Sequence, residues 1–590
     1  MNIQSLLLKE AKSDWRLYTT GILCMFLGVQ ARLTTPIFIR LIIDEVLIAK
    51  SPDNLLLYCL SIILIAVFAG FFNYGNRYFN DKAAETTTFR LRNQIFEKLQ
   101  NQSMGYLNKQ ETGQLLTKST SDIDIIRSYL AREFRIGLNS FYYYISIGII
   151  IYFTQPRFLV IFLLILPVLF GISFVYGVKT RPLIRESRRY SGVLSNHIQE
   201  SIESIDVVRS FSRETHEIER FERSNDNYLK LVLKSQIIRG LTLPVAVLIV
   251  SLSSVLILYF GGSQIITDPN SKITIGQLIQ FNLYLLELTT PTRLLGAFIE
   301  GYTRVNVSGE RVFGIIYSEI EIKERNNAIS LEKLDGKITL SGVSFGYESE
   351  QKILDNISFT VNAGEIIGFL GTSGSGKTSL INLIPRFFDP TEGNVYIDDI
   401  ELRDYNLEFL RKNIGIVSQE TFLFSRTIRE NICFGKIDAS DEEIIAASQT
   451  AQAHNFIMEF PDGYDTIVGE KGITLSGGQQ QRISIARSLL INPKILILDD
   501  STSSVDATTE NEIQIALDQL LKNRTTLIVT QKVSSLRKAQ QIIILENGKI
   551  IESGDHITLM QLKGIYSKIY STQEDPKLKE ELNIILEGDK

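Results

Sequence analysis

The stretch GEIIGFLGTSGSGKTSLINLI, residues 364–384, decides the fold of the second half of this chain. It contains the pattern G-x-x-x-x-G-K-[ST] from Gly371 to Thr378, with an apolar strand before it and a helix after it. Successive backbone N–H groups in such a loop, together with the helix N-terminus, bind phosphate groups. The stretch therefore predicts a phosphate loop in which Lys377 reaches the β and γ phosphates of a nucleotide and Thr378 supplies a hydroxyl to Mg²⁺.

Two further patterns in the same half predict anion and metal chemistry. ITLSGGQQQRISIARSLL, residues 473–490, places Ser476 and two glycines at the start of an amphipathic helix, where a hydroxyl and bare N–H groups form an anion site. The apolar strand ILIL, residues 495–498, reads as buried on both faces. It ends in Asp499, whose carboxylate is placed to hold water-coordinated Mg²⁺.

Composition limits the classes of function that are open to the chain. Its 590 residues predict about two to four domains. The hydrophobic content is 44% and the charged content 22%, and the apolar residues are concentrated in the first half. A net charge of -5 gives no reason to expect nucleic acid as a partner. Cys24, Cys59 and Cys433 lie far apart and form no metal or disulfide spacing.

The first half contains apolar segments long enough to cross a bilayer, which takes about 20 residues. Four of them carry no charged residue over their central run. Two others are interrupted by charges, among them Arg32, Arg40 and Glu287. The sequence predicts six membrane helices at about 15–48, 54–80, 134–156, 158–180, 238–267 and 273–305.

Basic residues predict how these helices are oriented. Segments 77–118 and 179–239 are rich in Lys and Arg, whereas each short link on the other side holds one basic residue. The excess of positive charge places both segments and both termini in the cytoplasm. Helical patterning in the two segments indicates that the membrane helices continue below the bilayer, with reversals at 103–116 and 209–221 that are suited to contact a cytoplasmic domain. A separate small domain is the alternative.

Charges inside membrane helices are costly and mark functional sites. Glu287 falls near the middle of the sixth predicted helix. One hypothesis is that it lines a water-filled cavity and meets cationic cargo. The other is that it forms an ion pair with Arg32 or Arg40 on a neighbouring helix.

Together, the phosphate loop GTSGSGKT, the LSGGQ signature, ILILDD with its loop SSVD, and six preceding apolar segments resemble the ATP-binding cassette (ABC) exporters. The resemblance covers nearly the whole chain and implies one half-transporter in a bacterial cytoplasmic membrane. The implied fold is an all-α six-helix transmembrane domain, with long helices extending into the cytoplasm, fused to an α/β P-loop nucleotide-binding domain with an α-helical signature subdomain. The expected divisions are 1–320 for the transmembrane domain, 321–337 for the linker, 338–572 for the cytoplasmic nucleotide-binding domain and 573–590 for a charged tail.

The resemblance also implies roles for individual residues, with ATP and Mg²⁺ as the cofactors. Tyr347 resembles the aromatic residue that stacks on adenine, and Glu470 the contact to the coupling helices. Thr378, Gln419 and, through water, Asp499 correspond to the family's Mg²⁺ contacts. The ATP-binding residues implied are Tyr347, Gly371, Ser373, Gly374, Ser375, Gly376, Lys377, Thr378, Ser379, Ser476, Gly477, Gly478, Gln479 and Asp506.

Two residues depart from the family pattern at the reaction centre. Asp500 stands where the family usually has a glutamate that acts as general base or orients water, and it is shorter by about 1 to 1.5 Å. A misplacement on that scale costs on the order of a hundredfold in rate. Gln531 stands where the family has a histidine against the γ-phosphate, and an amide cannot carry positive charge. We therefore expect this chain's own site to bind ATP and hydrolyse it slowly.

Cassettes of this family work as head-to-tail pairs. The changes at Asp500 and Gln531 therefore also determine what kind of partner we expect. The expected partner is a second half-transporter with glutamate and histidine at these positions. This chain's signature would complete the partner's ATP site. The expected cargo is hydrophobic or amphipathic, such as drugs or lipids. A homodimer with two slow sites, an ATP-gated channel and a regulatory ATP-binding subunit are the alternatives.

Overall fold

A computed structural model describes residues 2–267, 273–347, 352–418, 421–469, 472, 474–499 and 507–574. The chain divides into two compact units. The first comprises residues 1–101 and 111–319, and the second comprises residues 102–110 and 320–590 as far as they are described.

The first unit is helical, and helices cover all six segments that the sequence predicts to cross the membrane. Three helices have 46, 48 and 54 residues, which makes them about 70 to 80 Å long. That exceeds the roughly 30 Å of a bilayer's hydrocarbon core. Within the described residues, four helical stretches are apolar and long enough to cross a membrane: Ile3–Ile48, Leu55–Gln100, Thr112–Thr154 and Pro244–Thr267. The helices up to residue 316 are α1 (Ile3–Ala11), α2 (Trp15–Leu41), α3 (Leu55–Gln100), α4 (Met104–Asn108), α5 (Thr112–Ser119), α6 (Ser121–Ser128), α7 (Phe134–Thr154), α8 (Pro156–Glu203), α9 (Ile205–Ser210), α10 (Glu214–Thr267), α11 (Ile275–Glu287) and α12 (Thr289–Ile316), with π-helical turns at Ile42–Ile48 and Tyr129–Glu133.

Aliphatic and aromatic side chains form the core between these helices. Leu33, Ile147 and Phe281 are almost fully buried in one cluster. Several polar groups within it are paired, because an unpaired group in an apolar interior is costly. The Tyr284 hydroxyl donates to the Leu33 carbonyl oxygen at 2.9 Å.

The second unit is α/β and contains two sheets. A four-stranded antiparallel sheet has the order β2-β1-β4-β5. A six-stranded sheet has the order β10-β9-β3-β8-β7-β6, in which all pairs from β9 to β6 are parallel. The strands are β1 (Ile338–Phe345), β2 (Leu354–Val361), β3 (Ile366–Leu370), β4 (Glu392–Ile397), β5 (Ile400–Glu401), β6 (Ile414–Val417), β7 (Ile495–Asp499), β8 (Thr525–Val529), β9 (Gln541–Glu546) and β10 (Lys549–Gly554).

Helices pack against these sheets and carry the signature. Ile483, Ala486 and Leu490, predicted to share one side of the signature helix, are all buried. β7 and β8 are buried along nearly their whole length, which explains their continuous apolar character. The helices of this unit are α13 (Lys377–Leu383), α14 (Leu407–Lys412), α15 (Ile428–Ile432), α16 (Asp441–Thr450), α17 (His454–Glu459), α18 (Gly477–Ile491), α19 (Ala507–Leu520), α20 (His556–Leu562) and α21 (Ile565–Glu574).

Residues 102–110, which include the first part of the reversal predicted at 103–116, belong to the second unit. The Ser103 hydroxyl donates to Glu321 Oε2 at 3.0 Å. A Cβ placed on Gly105 would lie 3.3 Å from the Phe388 ring, so the backbone of the reversal lies directly against this side chain. The prediction that this reversal contacts a globular domain is confirmed.

The predicted linker, 321–337, is packed rather than free. The Glu324 carboxylate accepts a hydrogen bond from the Leu407 backbone N–H at 2.9 Å, and the Ile329 N–H donates to the Asp404 carbonyl oxygen at 2.7 Å. Charge-rich composition alone suggests a loose connection, but here the charges are used in fixed contacts within the second unit.

Candidate functional site

The parallel strands bring the predicted site residues to one edge of the six-stranded sheet. In β3, Phe369 pairs with Val529 of β8, and Asp499 of β7 pairs with the same residue from the other side. The phosphate loop follows β3, and Gln531 follows β8 after one residue. The loop, Asp499 and Gln531 therefore meet at the carboxyl edge, where open α/β sheets bind ligands.

The phosphate loop has a backbone that requires glycine at three positions. Gly374 and Gly376 have φ values of +79° and +101°, in the left-handed region that other residues rarely adopt. A Cβ on Gly371 would lie 2.3 Å from the Leu545 carbonyl oxygen, which belongs to the neighbouring strand β9. The loop thus lacks a Cβ at Gly371, Gly374 and Gly376, and this fits the close approach of a phosphate ligand to the backbone.

Lys377, the first residue of α13, lies inside this loop and is 9% exposed. Its Nζ donates to the carbonyl oxygens of Gly371 and Thr372, both at 2.8 Å, and to Ser375 Oγ at 3.3 Å. The ammonium group thus contacts only neutral oxygens within the loop, and a polyphosphate would provide stronger, charged acceptors. Thr378, the next residue, is exposed.

Tyr347 lies beside the phosphate-loop helix. Its hydroxyl is 3.2 Å from Ser379 Oγ. Its ring makes edge-to-face contacts with Phe345 and Phe388, with centroids 5.0 and 5.1 Å apart, and 41% of the residue is exposed. A cavity of about 540 Å³ adjoins the ring and is also lined by Glu321. A fixed, half-exposed aromatic ring next to a phosphate cradle is suited to stacking on a base.

Comparison with known proteins decides the family. The family model of the ABC transporter transmembrane region matches residues 18–292, and that of the ABC transporter nucleotide-binding region matches residues 354–503. The uncharacterized ABC transporter ATP-binding protein YknU of Bacillus subtilis is 38% identical, with 95% of each chain covered. The chain belongs to the ABC transporters.

Two further relatives are informative. The ATP-dependent lipid A-core flippase of Syntrophus aciditrophicus is 34% identical, with 99% of this chain and 96% of the relative covered. The solved structure of a bacterial Atm1-family ABC exporter with ATP bound has a TM-score of 0.80 at 27% identity, over 95% of this chain and 98% of that one. The ABC transporter described here is therefore a helical membrane domain fused to an ATP-binding cassette, and it couples ATP hydrolysis to transport.

The ABC signature forms the exposed N-terminus of α18. The Ser476 hydroxyl accepts from the Gln479 N–H at 3.3 Å, and the Gln479 side-chain oxygen accepts from the Ser476 N–H at 3.0 Å, which is a capping box. Gly478 is buried, whereas Ser476 and Gly477 are exposed. A Cβ on Gly477 would meet nothing within 4 Å. The end of this helix that the sequence predicts to bind an anion is thus exposed at Ser476 and Gly477.

The loop that carries Gln531 is held by a residue that the sequence does not reveal. Gln573, near the end of α21, donates from Nε2 to the Gln531 carbonyl oxygen at 2.8 Å and accepts from the Val533 N–H at 2.9 Å. Gln573 lies in the segment predicted as a charged tail, and the contact joins residues about forty positions apart, so no local pattern indicates it. Four predicted site residues, Gln419, Glu470, Asp500 and Asp506, lie outside the described residues.

Alanine at Gly371 is expected to damage the phosphate cradle. Because the added Cβ would lie 2.3 Å from a strand carbonyl and 2.7 Å from Ser375 Oγ, the loop has to shift, at a cost of about 1 to 3 kcal/mol. We expect ATP affinity to fall at least about tenfold, measured with a fluorescent ATP analogue. The matched control is Gly113→Ala, an exposed glycine of α5 outside the predicted ATP-binding residues, where the Cβ has open space. Unchanged affinity in Gly371→Ala would show that the loop does not hold the nucleotide.

Proposed function

We propose that this chain is one half of an ATP-driven exporter that moves hydrophobic or amphipathic compounds, lipids among them, across a bacterial cytoplasmic membrane. Membership of the ABC transporters supports the part of this proposal that concerns ATP-coupled transport. One relative is a lipid A-core flippase, which supports a lipid-like cargo. The likeness to an Atm1-family exporter supports export as the direction.

Six helices cross the membrane in this proposal: α2, α3, α7, α8, α10, and α11 together with α12. The basic segments at 77–118 and 179–239 place the long helical extensions, both termini and the cassette in the cytoplasm. Binding and release of ATP would then shift the membrane helices between inward-facing and outward-facing states, because ATP favours the state in which two cassettes are closed.

Within the pair, this chain's own site holds ATP and turns it over slowly. Tyr347 stacks on the base, Lys377 contacts the phosphates, and Thr378 and Asp499 hold the Mg²⁺ that accompanies ATP. Asp500 is one methylene shorter than the family's glutamate, and Gln531 offers an amide where the family has an imidazole. Both changes weaken the groups that orient water and stabilise charge on the γ-phosphate.

The partner in this proposal is a different half-transporter with glutamate and histidine at those positions. The observation that carries it is the contrast between an altered reaction centre and an unaltered, exposed signature, Ser476 to Gln479. The signature would complete the partner's ATP site. A homodimer would contain two slow sites and would hydrolyse ATP too slowly to drive transport well.

The proposal predicts that Asp500 contributes little to turnover. Asp500→Asn in the co-expressed pair is expected to leave ATP hydrolysis within about twofold, and Asp500→Glu to raise it only modestly because Gln531 is still an amide. The matched control is glutamate to glutamine at the equivalent position of the partner, which is expected to abolish hydrolysis. A loss of about a hundredfold in Asp500→Asn, or a large gain in Asp500→Glu, contradicts the proposal.

A further inference from the structure

A polar cavity of about 200 Å³ lies within the membrane unit, between α2, α7 and the junction of α11 with α12. Arg32 lines it from α2, Asn139 and Tyr143 from α7, and Glu287 and Thr290 from the junction. Polar side chains in a membrane span are costly unless they have a partner or a task. Here they converge on one space, so the cavity needs a chemical explanation.

The two charges in the cavity do not form a direct ion pair. Among the described residues, no oxygen of Glu287 lies within 4.0 Å of an Arg32 nitrogen, whereas Arg40, further along the same helix, has its Nε 3.5 Å from Asp44 Oδ2. The Tyr143 side chain is close enough to Arg32 and Glu287 to interact with both charges. The cavity therefore holds a cation and an anion that face a common space across a gap.

Hydrogen-bond acceptors gather around Glu287. Pro291 has no N–H to donate to the Glu287 carbonyl, four positions earlier, and the helix is interrupted at Leu288. On α7, the buried side-chain oxygen of Asn139 has no hydrogen-bond partner among the described residues. The lining of the cavity thus combines the carboxylate of Glu287 and the amide of Asn139, as acceptors, with the guanidinium donors of Arg32.

We infer that this cavity binds a zwitterionic group, with a primary ammonium at Glu287 and Asn139 and an anionic oxygen at Arg32. A phosphoethanolamine head group has this chemistry, and a cavity of about 200 Å³ holds the head group without its acyl chains. Three N–H donors of a primary ammonium match the acceptors around Glu287. A quaternary ammonium has no donors, and a glycerol head group has no cation, so both fit less well.

This inference rests on the proposed function, since it names the class of cargo. It predicts selective binding that does not require ATP hydrolysis. Native mass spectrometry of the purified chain with phosphatidylethanolamine, phosphatidylcholine or phosphatidylglycerol is expected to show at least about tenfold tighter binding of the first. Glu287→Gln and Arg32→Gln are each expected to lower that binding about tenfold, and Arg40→Gln, whose guanidinium pairs with Asp44, is the matched control.

Soluble glycerophosphoethanolamine distinguishes two sources of the same chemistry. Competition with the lipid would assign recognition to the head group alone, and selective lipid binding without competition would assign it to a head group presented by the membrane; both support the inference. Equal binding of the three lipids, or phosphatidylethanolamine binding unaffected by Glu287→Gln in a variant that still binds ATP, overturns it. ATP hydrolysis by the pair reports on the exporter separately, so the two proposals fail independently.

Discussion

Aspartate at Gly477 is expected to abolish ATP hydrolysis by the assembled pair while this chain stays folded. Gly477 is the first residue of α18, it is exposed, and a Cβ there meets nothing within 4 Å. A carboxylate at a helix N-terminus interacts favourably with the helix dipole, by about 0.5 kcal/mol. In the proposed pair this helix end faces the partner's ATP, so the same carboxylate repels the γ-phosphate. The expected loss is on the order of a hundredfold or more.

The measurement is ATP turnover by the co-expressed pair in lipid nanodiscs, with thermal unfolding as the check on folding. Gly477→Ala is the matched control, because it adds the Cβ without the charge and is expected to retain most of the activity. Photolabelling of this chain by azido-ATP is expected to be unchanged in Gly477→Asp, since its own phosphate loop is intact. Full hydrolysis in Gly477→Asp would mean that this signature completes no active site.

Alanine at Lys377 is expected to remove ATP from this chain's own site. The ammonium is nearly buried in the phosphate loop, and its contacts there are neutral oxygens that a polyphosphate would replace with charged ones. Charge-assisted hydrogen bonds contribute about 1.5 to 3 kcal/mol, so affinity should fall by about ten- to a hundredfold. Azido-ATP photolabelling of this chain, with the partner's labelling as internal reference, measures the loss.

The matched control for Lys377→Ala is Lys352→Ala in the same domain. Lys352 is exposed and its Nζ lies 2.8 Å from Glu392, so its removal is expected to leave ATP labelling unchanged. Undiminished labelling of this chain in Lys377→Ala would place the nucleotide elsewhere. Equal loss of labelling in both chains would mean that the two sites are not distinct in the way the proposal requires.

Local sequence patterns predict the cradle of this site well. Gly371 to Gly376 connect β3 to α13, which begins with Lys377 and Thr378, and Asp499 ends β7, as expected from the apolar runs beside them. These features depend on glycine conformations and on strand burial, both of which act over a few residues. The signature likewise forms a helix start because Ser476 and Gln479 cap it reciprocally.

Contacts between distant parts of the chain are not predicted by such patterns. Gln573 holds the loop of Gln531, and Glu321, in the predicted linker, accepts a hydrogen bond from Ser103, more than two hundred positions earlier. In both contacts the polar residue lies in a stretch of sequence that is typical of an exposed surface. That Glu287 lines a cavity is one of the two hypotheses that the sequence supports, because charges inside membrane helices mark functional sites. The separation of Glu287 from Arg32 across a gap depends on three-dimensional packing, which the sequence alone does not reveal.

ATP hydrolysis in lipid nanodiscs, measured for this chain alone and then with its proposed partner, distinguishes the asymmetric pair from a homodimer. We expect little activity from the chain alone and robust activity with the partner, lost when the partner's catalytic glutamate becomes glutamine. Robust activity from the chain alone would show that Asp500 is a competent catalytic residue. The functional unit would then be a homodimer, and the asymmetric pair would be wrong.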